Sequence, residues 1–257
     1  MLVTTSSDPT EQVTASAQAA AAELHAKWVA RGRNSLAKLM AHHDDRAILL
    51  VSRERLEYHQ NDQPVFYFHP SMAAVRVKRL LRGEGDTLLT AADVRKGDTV
   101  LDCTAGLASD SIVLAHAVGP EGRVTALESE QVIQYVVREG LKRYVYEVKA
   151  LNEAMRRVEL LHANHDDYLR QADSKSVDIV YFDPMFRQPI HESSSISPLR
   201  GLANGGELAS RTLEEACRVA RKAVVMKEIT RSSEWKRLNF TDFVKASPKI
   251  AFGVIRL

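Results

Sequence analysis

LDCTAGLASD, residues 101 to 110, reads as the end of a strand, a tight loop and the start of a helix. Gly106 can take a positive φ and lets a ligand come close to the backbone. Asp110, at the helix start, is also placed to cap free backbone donors. Beyond the loop, VTALES carries Glu128 at the tip of the next apolar run. A carboxylate there can accept both hydroxyls of a ribose, as it does in nucleotide-binding α/β sheets.

Outward from this stretch, strand and helix signals alternate. Strand cores lie at Val100–Leu101, Val124–Leu127, Val158–Leu161, Val177–Phe182 and Ala223–Met226, with helical stretches such as SDSIVLAHAV and LASRTLEEACRVARK between them. This order predicts a Rossmann-like, doubly wound, mostly parallel α/β sheet. KIAFGVIRL closes it as a last strand, expected at an edge. The chain before position 98 reads differently: strand 2–5, an alanine-rich helix over about 11–31, then RAILLVS, RLEYHQ and PVFYFHP as strands. The helix SMAAVRVKRLLRG follows, with Arg76, Lys78, Arg79 and Arg82 on its polar positions. We therefore expect a small N-terminal α+β region over 1–97, facing the substrate, and a ligand-binding domain over 98–257.

Composition narrows the classes. The 257 residues are 45% hydrophobic and 26% charged, with 12 glycines, which is neither collagen-like nor disordered. No apolar run approaches the ~20 residues of a membrane span. MLVTTSSDPT lacks a basic start and an apolar core, and Cys103 and Cys217 are the only cysteines, so a reducing cytoplasmic setting is expected. The net charge of +2 permits a nucleic-acid partner without demanding one.

The loop chooses between cofactors. A dinucleotide fingerprint needs G-x-G-x-x-G, whose second glycine lets the backbone touch a pyrophosphate. Here that position is Ala108, and the third glycine is missing as well. One glycine fits a ligand with a ribose and no pyrophosphate. S-adenosylmethionine is such a ligand, and its cationic sulfonium and amino group suit Asp102, Asp110 and Asp183. The rival reading of HANHDD and of His42, His43, Asp44 and Asp45 is a metal site, but neither has a zinc-site spacing, so no metal is expected.

YFDPMF, residues 181 to 186, ends a buried run on a carboxylate, a proline and an aromatic. Asp-Pro is ordinary turn chemistry. The sharper reading is an amine clamp. The Asp183 side chain and the Pro184 carbonyl take the two N–H bonds of a planar amine, and Phe186 stacks on its ring.

LDCTAGLASDSIVLA, ALES, LLHANHDDYL and VYFDPMF, in this order, resemble the class I S-adenosylmethionine-dependent methyltransferases. More narrowly, they are similar to the family of the 16S ribosomal RNA guanine-N2 methyltransferase RsmJ and its Gram-positive relatives. The resemblance implies ribosomal RNA or the small ribosomal subunit as partner, and guanine N2 as acceptor. It implies cofactor contacts at Ser109 and Asp110, at the ribose pair Glu128 and Ser129, at the adenine-side pair Asn164 and His165, and at Asp183; Asp102, Thr104 and Gly106 of the loop are further cofactor candidates. It makes Asp183, Pro184 and Phe186 the catalytic group. Candidate RNA contacts are His69, Arg76, Arg79, Arg187 and Lys227. The loop reads Gly-Leu-Ala-Ser where that RNA enzyme has a second glycine and an arginine, and RQPIHESSSISPLRG replaces its lysine-rich stretch. A small molecule or protein amide as acceptor, and a non-catalytic binding module, therefore stay open as alternatives.

Overall fold

The structure, a computed structural model, describes residues 1–61, 63–184 and 208–257. Phe186, Arg187 and Arg200 lie outside them.

Four strands form a first sheet, in the order β2-β1-β3-β4: β1 (Leu2–Thr5), β2 (Lys27–Trp28), β3 (Ala47–Val51) and β4 (Leu56–Gln60). Helix α1 (Glu11–Glu23) is capped by Thr10, whose side chain accepts from the Val13 N–H. It is shorter than expected. His25 turns to φ +48° and the Ala26 N–H closes back on the Ala21 carbonyl at 2.8 Å, so Lys27 and Trp28 are freed to pair in parallel with β1. A short α2 (Leu36–His42) precedes β3.

PVFYFHP, expected as a strand, makes only one bridge, Phe66 to Tyr58. Prolines at both ends remove donors, and Phe66 and Phe68 are spent on the core instead. Helices α3 (Ser71–Leu81) and α4 (Thr87–Ala92) follow, the latter capped by Asp86.

The second sheet has seven strands in the order β10-β11-β9-β8-β5-β6-β7. The elements are β5 (Thr99–Asp102), α5 (Ser109–Val118), β6 (Arg123–Glu128), α6 (Gln131–Arg143), α7 (Lys149–Arg157), β7 (Val158–His162), α8 (His165–Gln171) and β8 (Val177–Phe182). After residue 207 come α9 (Ser210–Val219), β9 (Ala220–Ile229), α10 (Glu234–Arg237), β10 (Asp242–Lys245) and β11 (Ile250–Arg256).

The five strands β7, β6, β5, β8 and β9 run parallel, and β11 and β10 are antiparallel. KIAFGVIRL is thus not the edge: β11 lies between β9 and β10. The edge is DFVK, four residues with exposed Asp242, Phe243 and Lys245 that give no clean alternation. Between β5 and β8 the chain order reverses, which makes the crevice at their carboxyl ends the expected ligand site.

One apolar cluster joins Val3, Ala17 and Leu49 of the first sheet's layer to Ile112, Tyr181 and Val225 of the second. Another, holding Leu101, Phe182 and Met226, fills the opposite face of the second sheet. No helix among the described residues is long and apolar enough to cross a membrane.

Candidate active site

Strand alternation decides what meets at the switch point. Along β8, Tyr181 joins the first cluster and Phe182 the second. Asp183, one residue on, returns to the Tyr181 side. Parallel pairing puts Phe182 opposite Met226, so Lys227 of β9 stands level with Asp183. The same face is covered by the start of α5. Two cations and several acids meet there.

The Lys227 ammonium lies 2.6 Å from Asp183 Oδ2 and 3.4 Å from Asp110 Oδ2. The Tyr181 hydroxyl donates to Asp110 Oδ2 at 2.9 Å. Arg76 reaches in from α3, donating to Asp110 Oδ1 and, through Nε and Nη2, to Asp86 at 2.7 and 2.9 Å. The result is an alternating series, Asp86–Arg76–Asp110–Lys227–Asp183. Burial opposes ionising Asp110, but Lys227 and Arg76 outweigh it and hold the carboxyl well below the usual range. For Asp183 burial prevails: with Asp110 adding to it, the pKa rises despite Lys227. Lys227 itself is raised, because the two aspartates overcome its desolvation.

The loop is shaped by backbone bonds. Cys103 N–H donates to the Tyr181 carbonyl and Ala105 N–H to the Leu127 carbonyl, both at 2.9 Å, which ties it to the neighbouring strands. Asp102 accepts from the Thr104 N–H at 3.0 Å and from the Ser111 hydroxyl at 2.5 Å. Burial pushes its carboxyl up to about 7. The Thr104 hydroxyl accepts from the Asp183 N–H at 2.5 Å, which joins the loop to the β8 tip. Gly106 has φ +49°, and its N–H points to Glu128 Oε2 at 3.2 Å. Glu128 Oε1 takes the Glu130 N–H at 2.9 Å, and burial raises this carboxyl too.

Ala108 also sits at positive φ, +58°, fully buried as the N-cap of α5. A side chain held there costs on the order of 1–3 kcal/mol. The packed cluster around its methyl supplies the constraint.

Several expected residues take other roles. Asp110 caps nothing; its carboxylate goes to Arg76, Tyr181 and Lys227. Arg76, expected on a polar face, turns inward with only 17% of its side chain exposed. Asn164 caps α8, its Oδ1 accepting from the Asp166 N–H at 2.8 Å, so that oxygen is already engaged. His165 stands edge-on to Phe182, and burial lowers its pKa. Ser109 opens α5, and the Ser129 carbonyl lies 2.9 Å from His162 Nε2.

His69 is apart from this group: its Nδ1 accepts from the Ser71 N–H at 2.9 Å and its ring meets Tyr144. Arg79 pairs with Glu84 at the surface. Tyr181, Ser111 and Asp86 were not anticipated. The alternation in YFDPMF carries a signal for Tyr181, and none short of the fold exists for Asp86, ten residues from Arg76.

The donor set suits S-adenosylmethionine: Glu128 offers acceptors for ribose hydroxyls, and Asp102, Asp110 and Asp183 offer acids for the cationic groups. The chain matches the family described as "Putative SAM-dependent methyltransferase" over residues 34–239. It is 36% identical over 255 residues to the protein YpiP of Bacillus subtilis (strain 168), spanning 99% of each chain. It is 30% identical over 253 residues to ribosomal RNA small subunit methyltransferase J of Vibrio parahaemolyticus serotype O3:K6 (strain RIMD 2210633), spanning 88% of this chain and 93% of that one. Among solved structures, a SAM-dependent methyltransferase of Neisseria gonorrhoeae, NGO1261, superposes with a TM-score of 0.63 at 19% identity, over 100% of this chain and 96% of that one, a likeness of fold. The sheet order, the loop and these matches lead to one assignment: the chain belongs to the class I S-adenosylmethionine-dependent methyltransferases, in the family that includes the ribosomal RNA small subunit methyltransferase J enzymes.

Proposed function

We propose that the protein methylates an exocyclic base amine, guanine N2, in the RNA of the small ribosomal subunit. The observation that carries this reading is Asp183 followed by Pro184 at the tip of β8, beside the switch point and among Asp102, Asp110 and Lys227. S-adenosylmethionine, when bound, supplies a methyl on a sulfonium whose carbon–sulfur electron pair departs with sulfur. Glu128 and Ser129 hold the ribose in this reading, His165 and the Asn164 backbone the adenine side, and Asp102, Thr104, Gly106, Ser109 and Asp110 the rest.

The chain's own task is alignment, which can supply about 7–11 kcal/mol of a barrier. An aromatic amine is a poor nucleophile because its lone pair is spread into the ring. Asp183 and the Pro184 carbonyl accept its two N–H bonds and turn the lone pair out of the ring plane. As the nitrogen takes the methyl it becomes acidic, and Asp183, whose hold on a proton burial strengthens, takes the one it sheds. Phe186 stacks on the base, worth about 1–3 kcal/mol. RNA loops offer splayed bases, which spares most of the cost of extraction. Residues 1–97 form the substrate-facing side, with His69 and Arg79 at its surface, and Arg187 completes the RNA candidates.

The test is to incubate the protein with labelled S-adenosylmethionine and small subunits from cells lacking its gene, then map methylated nucleosides by mass spectrometry. N2-methylguanosine is expected, with Asp183→Ala reducing its formation by about a hundredfold or more, the scale for losing one electrostatic contact to a transition state. Label in no ribosomal nucleoside would move the acceptor to another class, a small molecule or a protein amide. Near-normal turnover by Asp183→Ala would reduce the motif to a turn.

A further inference from the structure

Lys227 is an expected RNA contact, yet its ammonium is turned into the protein. It lies at the level of the β8 tip, 2.6 Å from Asp183 and 3.4 Å from Asp110. We infer that Lys227 is a positioning residue for methyl transfer, binding Asp183 Oδ2 so that this acid stays an anion and presents Oδ1 to the acceptor amine. The inference rests on the proposed reaction and gives it a residue that the motif alone does not contain.

Charge balance at this half-buried pair decides the point. An ionised carboxylate is the stronger acceptor for an amine N–H, since a protonated acid would add a competing donor. Burial and the nearby Asp110 both work against ionising Asp183. Facing this pair are Thr104 from the loop, Tyr181 from β8, Arg76 from α3 and Asp102 from β5. Thr104 and Tyr181 are neutral, and Asp102 adds to the negative side when ionised. Arg76 is held by Asp86 and Asp110. Of the described cations, Lys227 alone has a recorded contact with Asp183.

Geometry adds direction to charge. Lys227 is fixed by strand register rather than by a flexible loop: β9 is paired on both sides, with β8 and with β11. The Asp183 N–H is held by Thr104, and its Oδ2 by Lys227. Two anchors on one residue leave its χ1 little freedom, which keeps an acceptor where an amine must arrive. The series back through Asp110 and Arg76 to Asp86 extends this hold into α3 and the cap of α4.

The test reads Asp183 directly, without cofactor or RNA. Protein labelled with carbon-13 at the aspartate carboxyl is titrated by NMR, the Asp183 resonance being the one that Asp183→Asn removes. Lys227→Met and Lys227→Gln should each raise the Asp183 titration midpoint by about one pH unit or more, a tenfold change in proton affinity. Lys227→Arg should restore it. In single-turnover methylation of small subunits, the acid limb of the rate profile should move up with the midpoint in the two neutral variants and return in Lys227→Arg. An Asp183 midpoint unchanged in both folded neutral variants overturns the assignment and leaves the proposed reaction standing. A full-speed Asp183→Ala enzyme overturns the reaction first, and this assignment with it.

Discussion

Glu128 shapes the loop with the same carboxylate that, in the proposed reading, holds the ribose, and mutating it tests that second role. Its oxygens hold the Gly106 and Glu130 N–H groups, and each retains a lone pair for a ribose hydroxyl. Glu128→Ala removes both functions and should weaken S-adenosylmethionine binding by roughly 1.5–3 kcal/mol, the range for hydrogen bonds to charged groups. Glu128→Gln keeps one acceptor and turns an amide donor toward a backbone donor, so an intermediate loss is expected by calorimetry. Equal affinity in all three proteins would remove Glu128 from the cofactor site. Asp102 supports a prediction about stability. Its folded pKa, about 7, lies above the ~3.9 of an unfolded aspartate. The folded state therefore binds more protons in that window, so the stabilisation from this group is full below the unfolded value and is lost as pH rises through about 7. Asp102→Asn, which does not titrate, should flatten the fall in urea midpoint between about pH 4 and 8. A pH profile parallel to that of the parent protein would contradict this origin.

At the scale of elements, α3 shows how far a pattern can be read. Its amphipathic spacing predicts the helix, and the helix is there at Ser71–Leu81. What the spacing does not carry is the partner of each cation. Arg76 is inside because Asp86 and Asp110, ten and 34 residues away, meet it only once the sheet has formed. Lys78 reaches Glu147, and Arg79 pairs with Glu84 in the open. The end of β8 was legible for the opposite reason: an apolar run that stops at Asp-Pro is a local signal. PVFYFHP failed as a strand because Phe66 and Phe68 pack into the core, a tertiary preference that β-propensity does not report. The basic residues of α3 therefore separate into different tests. Arg76→Glu would set an acid against two partly buried aspartates and should cost about 3–5 kcal/mol in stability, the usual loss on breaking a buried pair. Arg79→Glu should leave the melting temperature nearly unchanged. If α3 faces RNA, that variant lowers the slope of log affinity against log salt by about one. An unaltered slope would make α3 a solvated face.

Across the whole molecule, the two sheets are distinct in hydrogen bonding and continuous in packing. The first uses only residues before 61 and the second only those after 98, yet one apolar cluster runs through both. The junction is tightest where Phe68 lies on α6. A Cβ added at Gly140 would come within 2.2 Å of the Phe68 ring, and Phe68 stacks edge-on with Tyr144 at 5.8 Å. In an isolated helix alanine is favoured over glycine by about 1 kcal/mol. At this position the propensity is overruled, because a buried ring must move and overpacking costs typically 1–3 kcal/mol. Gly140→Ala should therefore destabilise. How that loss is felt tests the continuity of the core. The chain has two tryptophans, Trp28 in β2 of the first sheet and Trp235 under the second, and each is a local reporter. In Trp28→Phe and Trp235→Phe proteins the remaining indole follows one sheet. A shared core makes opening either layer expose the other, so both reporters should unfold at the same denaturant concentration. Gly140→Ala should shift both midpoints together. Two separated transitions, with Gly140→Ala moving only the one seen by Trp28, would instead make residues 1–97 and 98–257 independent folding units joined by a thin contact.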